Sequence, residues 1–333
     1  MNNYFRIAVK FCTASVLAGF MGAIAPAAGA LIWNVEYIDA AGSGFNDGAL
    51  GAQRRSTLGS VLSYVSSVLS AENGTIDLRV DASQSDGTGF LAQGGTYFNP
   101  GAPAGYYNGF AYDHVRSGAD PSATVPDARI LVDFGYAWNS GLGAPAANQY
   151  DLFSVLLHEI THTLGFNSQV MQDGSSFFGS NNPGIFNVFD SYLALAGGPN
   201  LFGPGGQFLG FASDLISGNV VFRSPSSDDD FLMYSPDPFE DGSSLQHFSG
   251  ISGAVMLPSY SRGSSIRSYS PADCTVLVDI GWSASCGAIP EPSSGWLLIL
   301  GFVFLLAANR RGACNPDAHW ACRPARYMAV SVS

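Results

Sequence analysis

The chain has 333 residues, of which 47% are hydrophobic and only 12% charged, with 40 glycines and 18 prolines. That profile excludes a disordered polymer and suits one large or two small loop-rich domains with a proper core. Six of the 14 basic and two of the 26 acidic residues lie at the two ends, so residues 31–288 carry 8 basic against 24 acidic residues, a net of −16 with no lysine. A surface of that sign repels phosphate backbones and anionic lipid, which argues against a nucleic-acid partner.

At the start, Arg6 and Lys10 precede an apolar run over 11–25, which closes on Ala28-Gly29-Ala30. The run is short for a membrane span, and its small-x-small end predicts a signal peptide over 1–30 and an exported protein. Residues 31–38 alternate as a strand. Over 50–69, Leu58, Val61, Leu62, Val65, Val68 and Leu69 recur at helical spacing, and the run ends near Asn73-Gly74. Residues 75–80 read as a strand, and the glycine-rich, aromatic stretch 83–109 as strands joined by long turns. A further strand is predicted over 128–134.

Residues 151–164 form the clearest helix, with Asp151 at its N-terminus and Gly165 ending it. Residues 167–244 are turn-rich and carry little periodicity. Ser270-Pro271-Ala272-Asp273 opens a last helix that runs to Ile280 and stops at Gly281. No internal repeat is visible. The order strand, helix, strands, helix, long loop, helix is α+β.

Beyond this region, Ile289-Pro290-Glu291-Pro292-Ser293 precedes an apolar stretch over 295–308 and the pair Arg310-Arg311. Fourteen apolar residues are marginal for a bilayer span, and the arginines would hold the far side in the cytoplasm. Residues 289–311 resemble the PEP-CTERM sorting signal of exopolysaccharide-producing Gram-negative bacteria. The resemblance implies a transient inner-membrane anchor, an exosortase-like sorting enzyme as partner, and release to the cell surface or extracellular matrix. This sequence departs from the pattern in running on through a tail over 312–333. Cys12, Cys314 and Cys322 fall in the two ends, so Cys274 and Cys286 remain as an even pair in an oxidising compartment and predict one disulfide.

The chemistry concentrates in His158-Glu159-Ile160-Thr161-His162. Histidines four apart on a helix share one face and can share one metal ion, while the glutamate beside the first is placed to take a proton from a metal-activated water. Chance gives this run in roughly one such chain in a thousand. A third ligand is needed. Glu240 is the one glutamate downstream within 31–288, but its prolines and glycine make a turn of 236–242, which disfavours a helical glutamate ligand. His114 and His247 remain as candidates.

The run HEITHTLGF resembles the metzincin zinc peptidases, in which the glycine turns the chain towards a third histidine three residues later. Ser168 stands there instead, so the short pattern is broken. A long insertion over 167–246, then His247, then Met256, is similar to the leishmanolysin-type branch. That resemblance implies a metzincin-like domain over 31–288, His247 as third ligand, Met256 as the Met-turn residue, and Pro258 and Tyr260 lining a substrate pocket as in the matrix metallopeptidases. It implies one catalytic Zn2+, Glu159 as general base, and a protein or peptide substrate. Asp228-Asp229-Asp230 offers carboxylates to Ca2+, although an isolated acidic run is more often a solvated surface. Two other functions fit the same residues: a non-catalytic surface or matrix protein with a structural metal site, and a zinc hydrolase acting on something other than peptides.

Overall fold

The computed structural model describes residues 31–82, 86–179 and 181–286. The predicted signal peptide over 1–30, the predicted sorting segment over 289–311 and the tail over 312–333 lie outside the described residues. Contacts divide the chain into two units, a second beginning at Cys286 and a first ending at Ser285, which holds the described helices and strands. It is mixed α+β. Among the described residues no helix is long and apolar enough to cross a membrane.

The main sheet has the order β1-β2-β5-β3. Strand β1 (Ile32–Tyr37) leads into helix α1 (Gly51–Val68), which returns the chain to β2 (Thr75–Asp81), parallel to β1. Strand β3 (Ala92–Thr96) is followed by β4 (Gly105–Tyr107), helix α2 (Phe110–Ser117) and β5 (Ala128–Val132). β5 is parallel to β2, and β3 runs antiparallel along β5 at the sheet edge. The two central strands bury alternate residues: Ile76, Leu78 and Val80 of β2 and Ala128, Ile130 and Val132 of β5 are all inside. On α1 the predicted stripe Leu58, Val61, Leu62, Val65 and Val68 is likewise buried. Helix α2 is bounded by two glycines, and Gly109 makes no side-chain cap. Its start rests on a glycine and on Asp113 in the first turn, weak signals from which no helix is predicted.

The short parallel pair β6 (Trp138–Asn139) and β7 (Tyr150–Asp151) leads into helix α3 (Leu152–Thr163). Every residue of α3 is buried, which explains why its sequence is apolar on all sides and not on one stripe. Leu152, Leu156, Leu157 and Ile160 are fully enclosed, each contributing roughly 1.5–3 kcal/mol by burial. The Asp151 carboxylate caps the start by accepting from the Ser154 N–H, and Gly165, at φ +92°, takes the left-handed turn that ends it. α3 packs against both α1 and β3. The approach to β3 is so close that a Cβ on Gly94 would lie 2.4 Å from the Glu159 carbonyl oxygen.

The predicted insertion is folded on short elements. β8 (Ile185–Asn187) pairs with β4; β9 (Leu193–Leu195), β12 (Val220–Arg223) and β13 (Asp230–Leu232) form a three-stranded sheet; β10 (Phe202–Gly203) pairs with β11 (Gln207–Phe208). Its core is aromatic. Phe166 packs on Phe189 and Phe248, and Phe189 on Phe222, at ring-centroid distances of 4.9–5.3 Å. Helix α4 (Pro271–Asp279) closes the unit with the predicted start, a reciprocal Ser270–Asp273 capping box. Just past it, the buried Trp282 donates its indole N–H to the Leu164 carbonyl at the end of α3. Cys274 on α4 and Cys286 are both disulfide-bonded.

Candidate metal centre

Helix α3 places His158 and His162 one turn apart, and a loop from the far end of the insertion brings His247 to meet them. The three Nε2 atoms lie 3.1, 3.1 and 3.2 Å from one another. All three side chains are buried. Each ring is fixed from behind by a backbone carbonyl: Nδ1 of His158 on Val255 O at 2.9 Å, of His162 on Phe166 O at 2.7 Å, and of His247 on Ser243 O at 2.7 Å. A carbonyl can only accept, so each Nδ1 carries the proton and each Nε2 presents a lone pair. Burial pushes the rings towards neutrality, His158 down to about 4; with neighbouring histidines adding to it, His247 falls to about 3 and His162 well below its ordinary value.

Three lone pairs at that separation repel unless a cation sits among them. A tetrahedral ion with metal–nitrogen bonds of about 2.0–2.1 Å requires nitrogens roughly 3.3 Å apart, close to what the ring positions provide. The donor set therefore fits a divalent metal that favours imidazole. The residues that fix the rings are also in place.

The backbone that supports the trio is itself pinned. The buried Asp273 carboxylate accepts the N–H groups of Val255 and Met256 at 2.9 and 3.1 Å, beyond its role in capping α4. Met256 is fully buried, and its carbonyl accepts the Phe248 N–H, tying the turn to the residue after His247. Tyr260 donates its hydroxyl to Val255 O at 2.6 Å, the same oxygen that holds His158, and its ring stands edge-on to His158. Burial first, and then the Asp273 and Glu159 carboxylates, hold the Tyr260 phenol protonated. Leu245, two residues before His247, is buried in the left-handed region at φ +69°, a local cost the packed loop overrides.

Glu159 is buried, and its Oε2 has no hydrogen-bond partner. Burial raises its pKa to about 8. It opens, with His158, His162, His247, Pro258 and Tyr260, on a cleft of about 710 Å3 whose other wall is residues 89–94, leading into β3. Position 168 is filled by a serine, whose hydroxyl accepts from the Val170 N–H and lies outside the trio.

The rival candidates lie elsewhere. His114, on α2, places Nδ1 2.7 Å from Asp127 Oδ2 and 3.8 Å from Asp77 Oδ2. Glu240 is exposed in its turn. Asp228 adopts φ +58° and Asp230 pairs with Arg223, and among the described residues the acidic run is not gathered into a group able to hold a metal. The role of Asp273 is the part of the site that sequence reasoning missed. Its place in the capping box was legible, but its grip on Val255 and Met256 was not. Set against known protein families, curated proteins and solved structures, the chain gives no match in any of the three.

Proposed function

We propose that the protein is an exported zinc-dependent endopeptidase of metzincin type, with His158, His162 and His247 as metal ligands and Glu159 as general base. The observation that carries this reading is a buried, unpartnered carboxylate beside three converging imidazole lone pairs, all on one cleft. A structural metal site has no use for such a carboxylate. The reading of the two ends belongs to the same proposal: export through residues 1–30, then sorting and release through residues 289–311.

The chemistry that a bound zinc ion supplies here is Lewis acidity, towards a water and towards the carbonyl oxygen of the scissile bond. Glu159 handles the proton: Oε2 accepts it as the water attacks the carbonyl carbon, and returns it to the departing nitrogen as the C–N bond breaks. A cation held by the three histidines would oppose the burial that raises the Glu159 pKa, favouring the ionised form that acts as a base. Among the described residues β3 has a strand partner, β5, on one side only, so an extended polypeptide can pair with its free edge and lie across the cleft. Pro258 and Tyr260 wall the cleft and serve as the substrate pocket beside the histidines.

The test is Glu159→Gln. Metal analysis of the purified protein should still find one zinc per chain, while hydrolysis of a mixed peptide substrate falls by roughly 100- to 10,000-fold. Undiminished hydrolysis would overturn the assigned role.

A further inference from the structure

The metal cleft is not the largest cavity beside β3. A second one of about 900 Å3 adjoins it and shares Gly94, Asp241, Gly242 and Gln246 with its walls. The free edge of β3 therefore runs through both, past Glu159 in one and on to Thr96 in the other. The second cavity differs in chemistry. Its walls are Phe98 from the loop after β3, Val170, Met171, Phe177 and Phe178 from the insertion, and Phe239 from the turn before His247, and the one charged residue lining it is Asp241.

Two details show that this chamber is not simply loose packing. Phe178 is held against Phe98 and Phe177, at ring-centroid distances of 5.6 and 5.5 Å, yet Phe177 keeps 68% of its surface exposed at the rim. A large ring left in solvent beside an apolar hollow is the mark of a binding surface. The second detail is the glycine pair of β3. Gly94 is required by the close approach of α3, but a Cβ on Gly95 would meet nothing nearer than Asn167 Nδ2, at 3.9 Å. The fold does not need glycine at 95. A bare strand position that packs on nothing leaves room for another backbone to approach.

We infer that this chamber is a specificity subsite for the substrate: it takes bulky apolar side chains, at alternate positions of a peptide lying along β3, several residues away from the bond at the metal cleft. Alternate residues of an extended strand face the same side, so two of them enter one chamber, and a cavity of this size accommodates both. The inference rests on the peptidase reading for its substrate class. It adds that the insertion selects aliphatic and aromatic sequences and disfavours acidic ones.

The test measures binding, so that it does not depend on turnover. Fluorescence anisotropy with full-length Glu159→Gln protein would compare fluorescein-labelled decapeptides of Gly-Ser background carrying Leu or Phe at two alternate positions with the same peptides carrying Ser or Asp there. The apolar peptides should bind at least 10-fold more tightly, and Gly95→Val or Phe177→Ser, each added to that protein, should bring the ratio close to one. Phe177→Leu should preserve it. Gly95 meets no close neighbour and Phe177 is mostly exposed, with its packing confined to the Phe178 ring, and a thermal melt checks that each variant is folded. Equal affinity for apolar and polar peptides, or a preference that survives Gly95→Val, overturns the subsite, as does failure to bind any peptide. The peptidase reading is judged separately, by whether the unmutated protein cleaves. Cleavage without apolar preference sinks the subsite alone, whereas preference in binding without cleavage sustains the subsite and sinks the peptidase.

Discussion

Two clusters of buried histidine and its neighbours occur in this fold, and they solve the same problem in opposite ways. Around His114 the ring nitrogen meets the Asp127 carboxylate at 2.7 Å, and Asp127 Oδ2 also accepts the Asp77 N–H at 2.7 Å. Asp127 Oδ2 is thereby met from two sides while its buried Oδ1 keeps no partner, and the cluster ties α2 to β2 and to the start of β5. Around His158, His162 and His247 the donors all point backwards into carbonyls, and three acceptors are left facing one another. By spacing alone either group could hold a metal ion, but in the first a carboxylate already takes the ring nitrogen, whereas in the second three lone pairs are left facing the space a cation would fill. Burial of a histidine therefore says little about metal binding, whereas the direction of its spare lone pair says a great deal.

The comparison breaks most sharply on one pair of substitutions. His247→Ala removes a donor from the unbalanced cluster, and the affinity for zinc, followed by competition with a chromogenic chelator, should fall by more than about 100-fold, since even loss of a supporting residue costs 10- to 100-fold. His114→Ala should leave zinc affinity unchanged. Zinc retained in His247→Ala would place the third ligand elsewhere and undo the assignment of the trio.

A smaller effect is expected one step behind the ligands. Asp273 holds the N–H groups of Val255 and Met256, and Val255 in turn holds His158. Asp273→Ala removes the acceptor for the N–H groups of Val255, Met256 and Ser270 and frees the carbonyl that orients the ring. Zinc affinity should drop by roughly 10- to 100-fold, with a stability loss of about 1–3 kcal/mol in the metal-free protein. An equal loss of stability with no change in zinc affinity would make Asp273 a helix cap and nothing more.

How much of this was legible follows from the scale on which each part is specified. α3 was readable because its cap, apolar run, ligand spacing and terminating glycine all fall within 15 consecutive residues, Asp151 to Gly165. The strands β1, β2 and β5 were readable because alternation and β-branched or aromatic content are local properties. His247 came from needing a third ligand and from the resemblance, not from any pattern around it. The insertion was opaque for a physical reason: its core phenylalanines sit singly on elements of two to five residues, too short to show a period. The chamber beside β3 is assembled from Phe98, Phe178 and Phe239, which only the fold brings together. α2 was missed because it has only eight residues and its start carries no more than a glycine and Asp113 in the first turn.

The smallest expected effect tests the balanced cluster by its pH dependence. Burial raises the Asp127 pKa, while the Asp77 N–H and His114 oppose the rise. A carboxyl raised in the folded state binds a proton that the unfolded chain has already released above pH ~4, so its contribution to stability is full below that pH and is lost as pH rises through the folded value. Removing His114 takes away a group that lowers the Asp127 pKa, so His114→Ala should lose stability more steeply than the unmutated protein as pH rises above about 4. Asp127→Asn in the same background should flatten that extra slope, because the amide does not titrate. Urea unfolding at a series of pH values reads the difference directly. Parallel curves for the unmutated protein and His114→Ala would mean that the Asp127 carboxylate gains nothing from the imidazole, and the contrast between the two clusters would then rest on geometry alone.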